Sequence, residues 1–148
     1  MLYDLNEDGT GVIYEILPRK NYLSRKAIKT RGASFRGERL EQIFASNIDN
    51  IFIVTSTLEP DFNNKTLDRF LAACESARIK TNIIINKTDL ADETSLKEWA
   101  DLYKKIGYRV FLTSTIDSSG FSNLAKYLKG KKNLFWGQSG VGKSSLLN

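Results

Sequence analysis

The 148 residues, 41% hydrophobic and 11% aromatic, suffice for one ordinary folded domain, or for a small module beside a trimmed one. One cysteine, Cys74, and no histidine exclude an intrachain disulfide, histidine acid–base catalysis and a Cys/His zinc site within these residues. The net charge is +5, no apolar run approaches the roughly 20 residues of a membrane span, and Met1–Asp4 lacks a secretory pattern, so a cytoplasmic protein without membrane attachment is expected.

Residues 1–47 begin with a turn at Asp8-Gly9-Thr10-Gly11, followed by a predicted strand over Val12–Leu17 that Pro18 ends. Two possible strands are too few for an independent β module. The next segment concentrates charge: Arg19, Lys20, Arg25, Lys26, Lys29, Arg31, Arg36 and Arg39 stand against the single acid Glu38. Such a stretch, which also holds Tyr22 and Phe35, suits a phosphate-rich partner; it also fits a solvated loop whose charge only aids solubility.

From about residue 48 strand and helix signals alternate. Ile48–Val54 is an apolar, β-branched run that predicts a buried strand, and Glu59-Pro60-Asp61 predicts a turn. Leu67, Phe70, Leu71 and Cys74 recur at helical spacing. Asn82–Ile85 predicts a second strand, and Leu96, Trp99, Tyr103 and Ile106 trace a second helix face that Gly107 ends. Tyr108–Thr113 predicts a third strand; Phe121, Leu124, Ala125 and Leu128 predict a third helix closed by Gly130. Asn133–Trp136 is a short fourth strand, and Lys143–Asn148 opens a helix that stops after about two turns. Continuous apolar strands separated by helices imply an α/β fold, a mostly parallel sheet with helices on its faces. Both ends of the chain read as cut.

Three segments carry chemistry. Gly137-Gln138-Ser139-Gly140-Val141-Gly142-Lys143-Ser144 fits G-x-x-x-x-G-K-[ST]. Backbone N–H groups must wrap a polyphosphate, glycines let the main chain approach it, and the following helix offers its N-terminus to the anion. Lys143 would reach the β- and γ-phosphates, and the Ser144 hydroxyl would ligate Mg²⁺. Chance produces such a match in roughly one in a few hundred chains of this length. The bland reading is a flexible glycine turn.

Asn86-Lys87-Thr88-Asp89 follows the strand Ile83–Ile85. The Asp89 carboxylate there could accept from the ring N–H and exocyclic amine of guanine, a donor pair that adenine lacks. Lys87 could lay its stem along the base while Asn86 fixes the loop. Taken alone, the four residues also fit an ordinary polar turn. Thr113-Ser114-Thr115 ends the third strand, and a backbone N–H near Ser114 could meet the guanine carbonyl. Three strand-end loops of one parallel sheet would converge where ligands bind in such sheets.

The base-reading segments precede the phosphate loop, the reverse of ordinary small GTPases, so the sequence resembles a circularly permuted GTPase. Gly130–Lys132 would be the splice between the former last helix and former first strand. GQSGVGKSSLLN at 137–148, NKTDL at 86–90, LPRKNYLSRK at 17–26, SNIDNIFIV at 46–54 and LDRFL at 67–71 make it similar to the ribosome small-subunit-dependent GTPase A family over almost the whole chain. The resemblance implies an RNA-binding OB-fold ahead of the permuted domain and a zinc-binding domain after it. It also implies action late in small-subunit maturation, with hydrolysis of GTP stimulated by the subunit.

Carried over by position, Asn86, Lys87, Thr88 and Asp89 would form the guanine-reading loop with Ser114. Gly137, Gln138, Ser139, Gly140, Val141, Gly142, Lys143, Ser144 and Ser145 would hold GTP or GDP with Mg²⁺. Residues 1–47 would be an OB-fold remnant and basic linker, and 48–148 an incomplete GTPase domain. Catalytic switch segments and the zinc site would follow Asn148, so this chain is expected to bind nucleotide weakly and hydrolyse it poorly or not at all. The Asn133–Trp136 strand is expected to be an exposed apolar edge. The partners expected are the small ribosomal subunit and its rRNA, with the protein itself monomeric. Three alternatives stand. A permuted family acting on the large subunit shares the motif order, but it usually carries Pro-Asn where Ser139-Gly140 stands. The others are a non-enzymatic RNA-binding module and an ATP-using P-loop enzyme.

Overall fold

The computed structural model describes residues 2–26 and 41–148, which divide between Asn47 and Ile48 into two compact units. In the first, β1 (Leu2–Leu5) and β2 (Gly11–Glu15) form an antiparallel hairpin. Asp8 Oδ1 accepts from the Thr10 N–H at 2.9 Å and from its hydroxyl at 2.6 Å, which closes the turn that the sequence marks. The second strand ends at Glu15, two residues short of the expected Leu17.

A further antiparallel pair, β3 (Tyr22–Lys26) with β4 (Glu41–Ser46), lies within residues 1–47, where an OB-fold remnant and basic linker are expected. In β3 Leu23 is 2% exposed while Tyr22 and Arg25 are exposed, and a register shift between Leu23 and Ser24 interrupts the regular alternation of a strand. Arg25 Nε donates to Gln42 Oε1 across the pair at 2.8 Å. Of the basic stretch, Lys29, Arg31, Arg36 and Arg39, together with Phe35 and Glu38, lie outside the described residues.

The second unit is a four-stranded, all-parallel sheet of order β7-β6-β5-β8, made of β5 (Asn50–Ser56), β6 (Thr81–Asn86), β7 (Arg109–Leu112) and β8 (Asn133–Trp136). The first strand runs two residues beyond the expected Val54, and the second includes Asn86 itself. Helices α1 (Asn64–Ser76) and α2 (Glu93–Lys105) make the connections β5→β6 and β6→β7; α3 (Phe121–Leu128) carries the chain back across the sheet to β8, and α4 is Lys143–Leu147. The direction of winding therefore reverses between β5 and β8, the place where open parallel sheets take ligands beyond their carboxyl ends.

Both faces are apolar because both are covered. Ile51, Ile53, Ile83 and Ile85, all at most 1% exposed, alternate with Phe52, Val54 and Ile84 on the opposite face. The latter face packs with Leu124 of α3 and Leu146 of α4; Phe135 stacks on Phe52 at 5.3 Å. Along α1, Leu67, Leu71 and Cys74 are buried as their spacing predicts, and burial pushes the Cys74 thiol up to about 11, so it is no nucleophile. On α2 the expected face is narrower. Tyr103 is buried and donates to Asp68 Oδ1 at 2.8 Å, but Ile106 is 59% exposed at the helix end. Gly107 (φ 104°) stops that helix, its N–H reaching Lys104 O. The β8 edge is half-buried rather than exposed, with Trp136 against Phe70 at 4.6 Å.

Candidate functional site

Four loops leave the carboxyl ends of the four strands on one side of this sheet. The first, after β5, is the segment 57–62. The second is Asn86-Lys87-Thr88-Asp89, in which the strand ends, Lys87 turns left-handed (φ 60°) and a 3₁₀ turn covers Thr88–Leu90. The third is Thr113-Ser114 after β7, and the fourth is Gly137–Gly142 after β8, leading into α4.

Asn86 holds three of them together. Its amide Nδ2 donates to Val141 O in the glycine loop at 3.0 Å, and its Oδ1 accepts from Thr113 Oγ1 at 2.9 Å. Asn86, Thr113 and Ser114 are completely buried, so each of these bonds lies in a low-dielectric interior where a lost partner is expensive. Main-chain bonds reinforce the link: Thr113 N–H to Ile85 O at 3.0 Å and Thr88 N–H to Thr113 O at 3.2 Å.

The glycine loop is drawn tightly onto the sheet. A Cβ on Gly137 would lie 2.1 Å from Val54 O, and one on Gly142 (φ 92°) would lie 2.3 Å from Asn86 Nδ2. Val141, 2% exposed, plugs the loop into the core beside Leu146. Gln138, Ser139 and Gly140 remain exposed, as do Ser144 and Ser145 on the first turn of α4. A turn at Ser139-Gly140 bends this loop, and the run of backbone N–H groups from Gln138 to Lys143 is of the donor-rich kind that binds anions. Lys143 Nζ lies across it, donating to Gly137 O at 3.0 Å and Gln138 O at 2.5 Å.

At the other end of the edge, Asp89 is exposed and its Oδ1 accepts from Ser114 Oγ at 2.5 Å, which fixes the carboxylate's orientation. The Ser114 N–H itself goes to Ser119 O at 3.3 Å.

The loop after β5, read from sequence only as a turn, joins both halves of the site. Thr57 Oγ1 donates to Lys87 O at 2.6 Å, Thr57 N–H donates to Asn86 O at 3.1 Å, and Lys87 Nζ donates to Glu59 O. A left-handed non-glycine residue such as Lys87 persists only where its surroundings hold it, and these three bonds do so. Pro60 from the same loop lies 3.4 Å from the Cβ position of Gly140. The available signal was positional: this is the fourth strand end of the same sheet.

An apolar cavity of about 250 Å³ lies behind Leu90, lined by Leu58, Phe62, Leu96 and Trp99. Its charged residue is Asp92, whose carboxylate caps α2 through the Ser95 N–H and is held below the usual range by that bond. Among the described residues no cluster of three or more His, Cys, Asp or Glu side chains could hold a metal, and no helix is long and apolar enough to cross a membrane.

The comparisons with known proteins agree with this architecture. A family model for the RsgA GTPase matches residues 16–148. A small ribosomal subunit biogenesis GTPase RsgA from Geobacillus sp. (strain WCH70) is 38% identical over 149 residues, 99% of this chain and 45% of its own length. The Bacteroides fragilis (strain YCH46) protein of the same name is 37% identical over 147 residues, 97% of this chain and 45% of its own. Among solved structures, YjeQ from Thermotoga maritima superposes with a TM-score of 0.77 at 34% identity, covering 99% of this chain and 47% of that one. YloQ, described as a circularly permuted GTPase, gives 0.72 at 34% identity, covering 98% and 46%. The chain thus spans about half the length of the relatives it matches.

Proposed function

The chain belongs to the RsgA GTPase family, and on that premise we propose that it is the guanine-nucleotide-binding part of a GTP-hydrolysing factor for late maturation of the small ribosomal subunit, in contact with rRNA. The observation that carries the reading is the buried Asn86 side chain, which ties the Asp89 loop to the glycine loop so that one nucleotide can span both. In this account the orientation imposed by Ser114 lets the Asp89 carboxylate read the guanine ring N–H and amine. Lys87, its ammonium fixed on Glu59 O, lines the base with its stem.

The phosphates would lie in the concavity of N–H groups from Gln138 to Lys143, and Lys143 would exchange its two loop carbonyls for phosphate oxygens, which are stronger, charged acceptors. Ser144, exposed on the first turn of α4, fits a single hydroxyl ligand for Mg²⁺, an ion that takes most of its remaining ligands from phosphates and water. Bound there, Mg²⁺ would neutralise charge on the β- and γ-phosphates. No described residue is assigned to position the attacking water. The pair β1–β2 with β3–β4 is read as part of an OB-fold, the protein as monomeric and the location as the cytoplasm.

Co-sedimentation separates this reading from action on the large subunit. With a non-hydrolysable GTP analogue present, the chain should pellet with purified small ribosomal subunits and stay in the supernatant with large ones. Equal retention by both, or preference for the large subunit, would contradict the assignment.

A further inference from the structure

The opposite edge of the parallel sheet carries a second concentration of charge. From Ser118 to Asn148 the sequence contains Lys126, Lys129, Lys131, Lys132 and Lys143 and no acidic residue. All but Lys143 fall where α3 runs into β8, at the amino ends of the strands. There Lys131 Nζ lies 4.1 Å, the Arg109 guanidinium 4.3 Å and Lys80 Nζ 5.7 Å from the centre of the Tyr127 ring. Lys80 leads into β6 and Arg109 begins β7, so three separate segments of the sheet supply the cations. The ring is itself anchored in the core, against Phe111 at 5.6 Å and edge-on to Phe52 at 6.1 Å.

Among the described residues these cations have no carboxylate within ion-pair distance, and the one ion pair is Lys104–Asp101. Two acids of this unit are engaged by other groups: Asp49 Oδ2 accepts the Lys132 N–H at 2.8 Å, and Glu75 Oε1 accepts the Tyr108 hydroxyl at 3.1 Å. Among the described residues no carbonyl or carboxylate accepts the Tyr127 hydroxyl, and the cations around it favour its ionised form. Lys80, Arg109 and Lys131 are exposed, so among the described residues their mutual repulsion is relieved by solvent and by Tyr127. A set made only of donors calls for a ligand made of acceptors with negative charge.

We propose that Lys80, Arg109 and Lys131, gathered around Tyr127, form a surface that grips the phosphate backbone of RNA at the sheet edge opposite the nucleotide loops. The inference rests on the reading of rRNA as partner and specifies a surface for it. Phosphate fits better than carboxylate-bearing peptide because a guanidinium flanked by two ammonium groups matches several closely spaced anionic oxygens. The continuing lysines at 126, 129 and 132 extend the positive surface along a strand of phosphates. A lipid surface is disfavoured because the cluster's only apolar body, the Tyr127 ring, is packed inward. Six residues of β6 put the surface about 20 Å from the base-reading loop, at about 3.3 Å per residue, so the two sites can be tested separately.

The test compares the chain with the triple variant Lys80→Gln/Arg109→Gln/Lys131→Gln, and with a control of equal charge loss on α2, Lys97→Gln/Lys104→Gln/Lys105→Gln. Binding of a fluorescein-labelled 20-base-pair RNA duplex is followed from 50 to 300 mM KCl, with GDP binding and circular dichroism measured in parallel. Removal of three phosphate contacts should flatten the log–log salt slope by about 2 to 3, and the α2 control should change it by less than about 1. The single variant Lys131→Glu should flatten it by about 1. Equal flattening by both triples would reduce the effect to net charge, and an unchanged slope in the patch variant would remove the surface; either result overturns the proposal. So does loss of binding confined to vesicles containing 30% phosphatidylserine, with RNA binding intact. Failure of the guanine-nucleotide reading would instead appear as absent GDP binding in all variants, with the RNA slopes still distinguishing the two edges.

Discussion

Asp89→Asn should weaken GDP binding by about a hundredfold or more while improving the binding of xanthosine diphosphate. The bond from Ser114 Oγ to Asp89 Oδ1 at 2.5 Å fixes the carboxylate's orientation, so the substitution exchanges chemistry at a held position. A carboxylate accepts from both the ring N–H and the amine of guanine. A carboxamide turns one acceptor into a donor, which opposes the amine but complements the carbonyl that xanthine carries in its place. Loss of a charge-assisted pair with a mismatched donor costs about 3 kcal/mol, and every 1.4 kcal/mol or so is tenfold. Isothermal titration of both proteins with both nucleotides measures the exchange. A variant that keeps GDP affinity within about threefold, or gains nothing for xanthosine diphosphate, removes Asp89 from the base-reading role.

Gly142→Ala should have the second large effect, on stability and nucleotide affinity together. Its Cβ would sit 2.3 Å from Asn86 Nδ2 at a φ of 92°, so the Asn86 side chain must leave Val141 O or the loop must lift off the sheet. Either way a fully buried amide loses a partner, at about 1–3 kcal/mol, and alanine at positive φ adds about 1 kcal/mol. Gly130 has a similar φ of 71° but open space where a Cβ would go, so Gly130→Ala should cost only that backbone penalty. Urea unfolding of the two variants, with GDP titration of each, separates clash from strain. Equal destabilisation by both would mean that the Asn86 link does not hold the loop.

The sequence made the second unit legible because its signals are local and repeated. Ile83-Ile84-Ile85 followed by Asn86 marks a buried strand ending in polar chemistry, and Gly137–Ser144 carries its glycines where close approach to Val54 and Asn86 demands them. The parallel architecture follows from continuous apolar strands between helices and is the one found. What escaped were features that depend on long-range partners. The β3–β4 pair joins segments about 20 residues apart, and its register shifts just after the buried Leu23, so no regular apolar alternation marks the strand in the sequence. Thr57 escaped for a related reason: its hydroxyl matters through Lys87 O, 30 residues away, and nothing in Ser56–Asp61 announces that bond. Ile106 was placed on a buried face by helical spacing, but it sits past the last turn of α2 and faces solvent. The joint between the two nucleotide loops is likewise visible only when Asn86 and Val141, 55 positions apart, are seen within 3.0 Å.

The central claim, that the loops at this sheet edge form one guanine-nucleotide site, is tested most directly by equilibrium titration of the unaltered chain with GDP and with ADP in the presence of Mg²⁺, with circular dichroism to establish folding. The account predicts saturable GDP binding at one site and ADP binding at least about a hundredfold weaker, because adenine offers the Asp89 carboxylate no matching donor pair. Equal binding of the two nucleotides by the folded chain, or binding of neither, would contradict it.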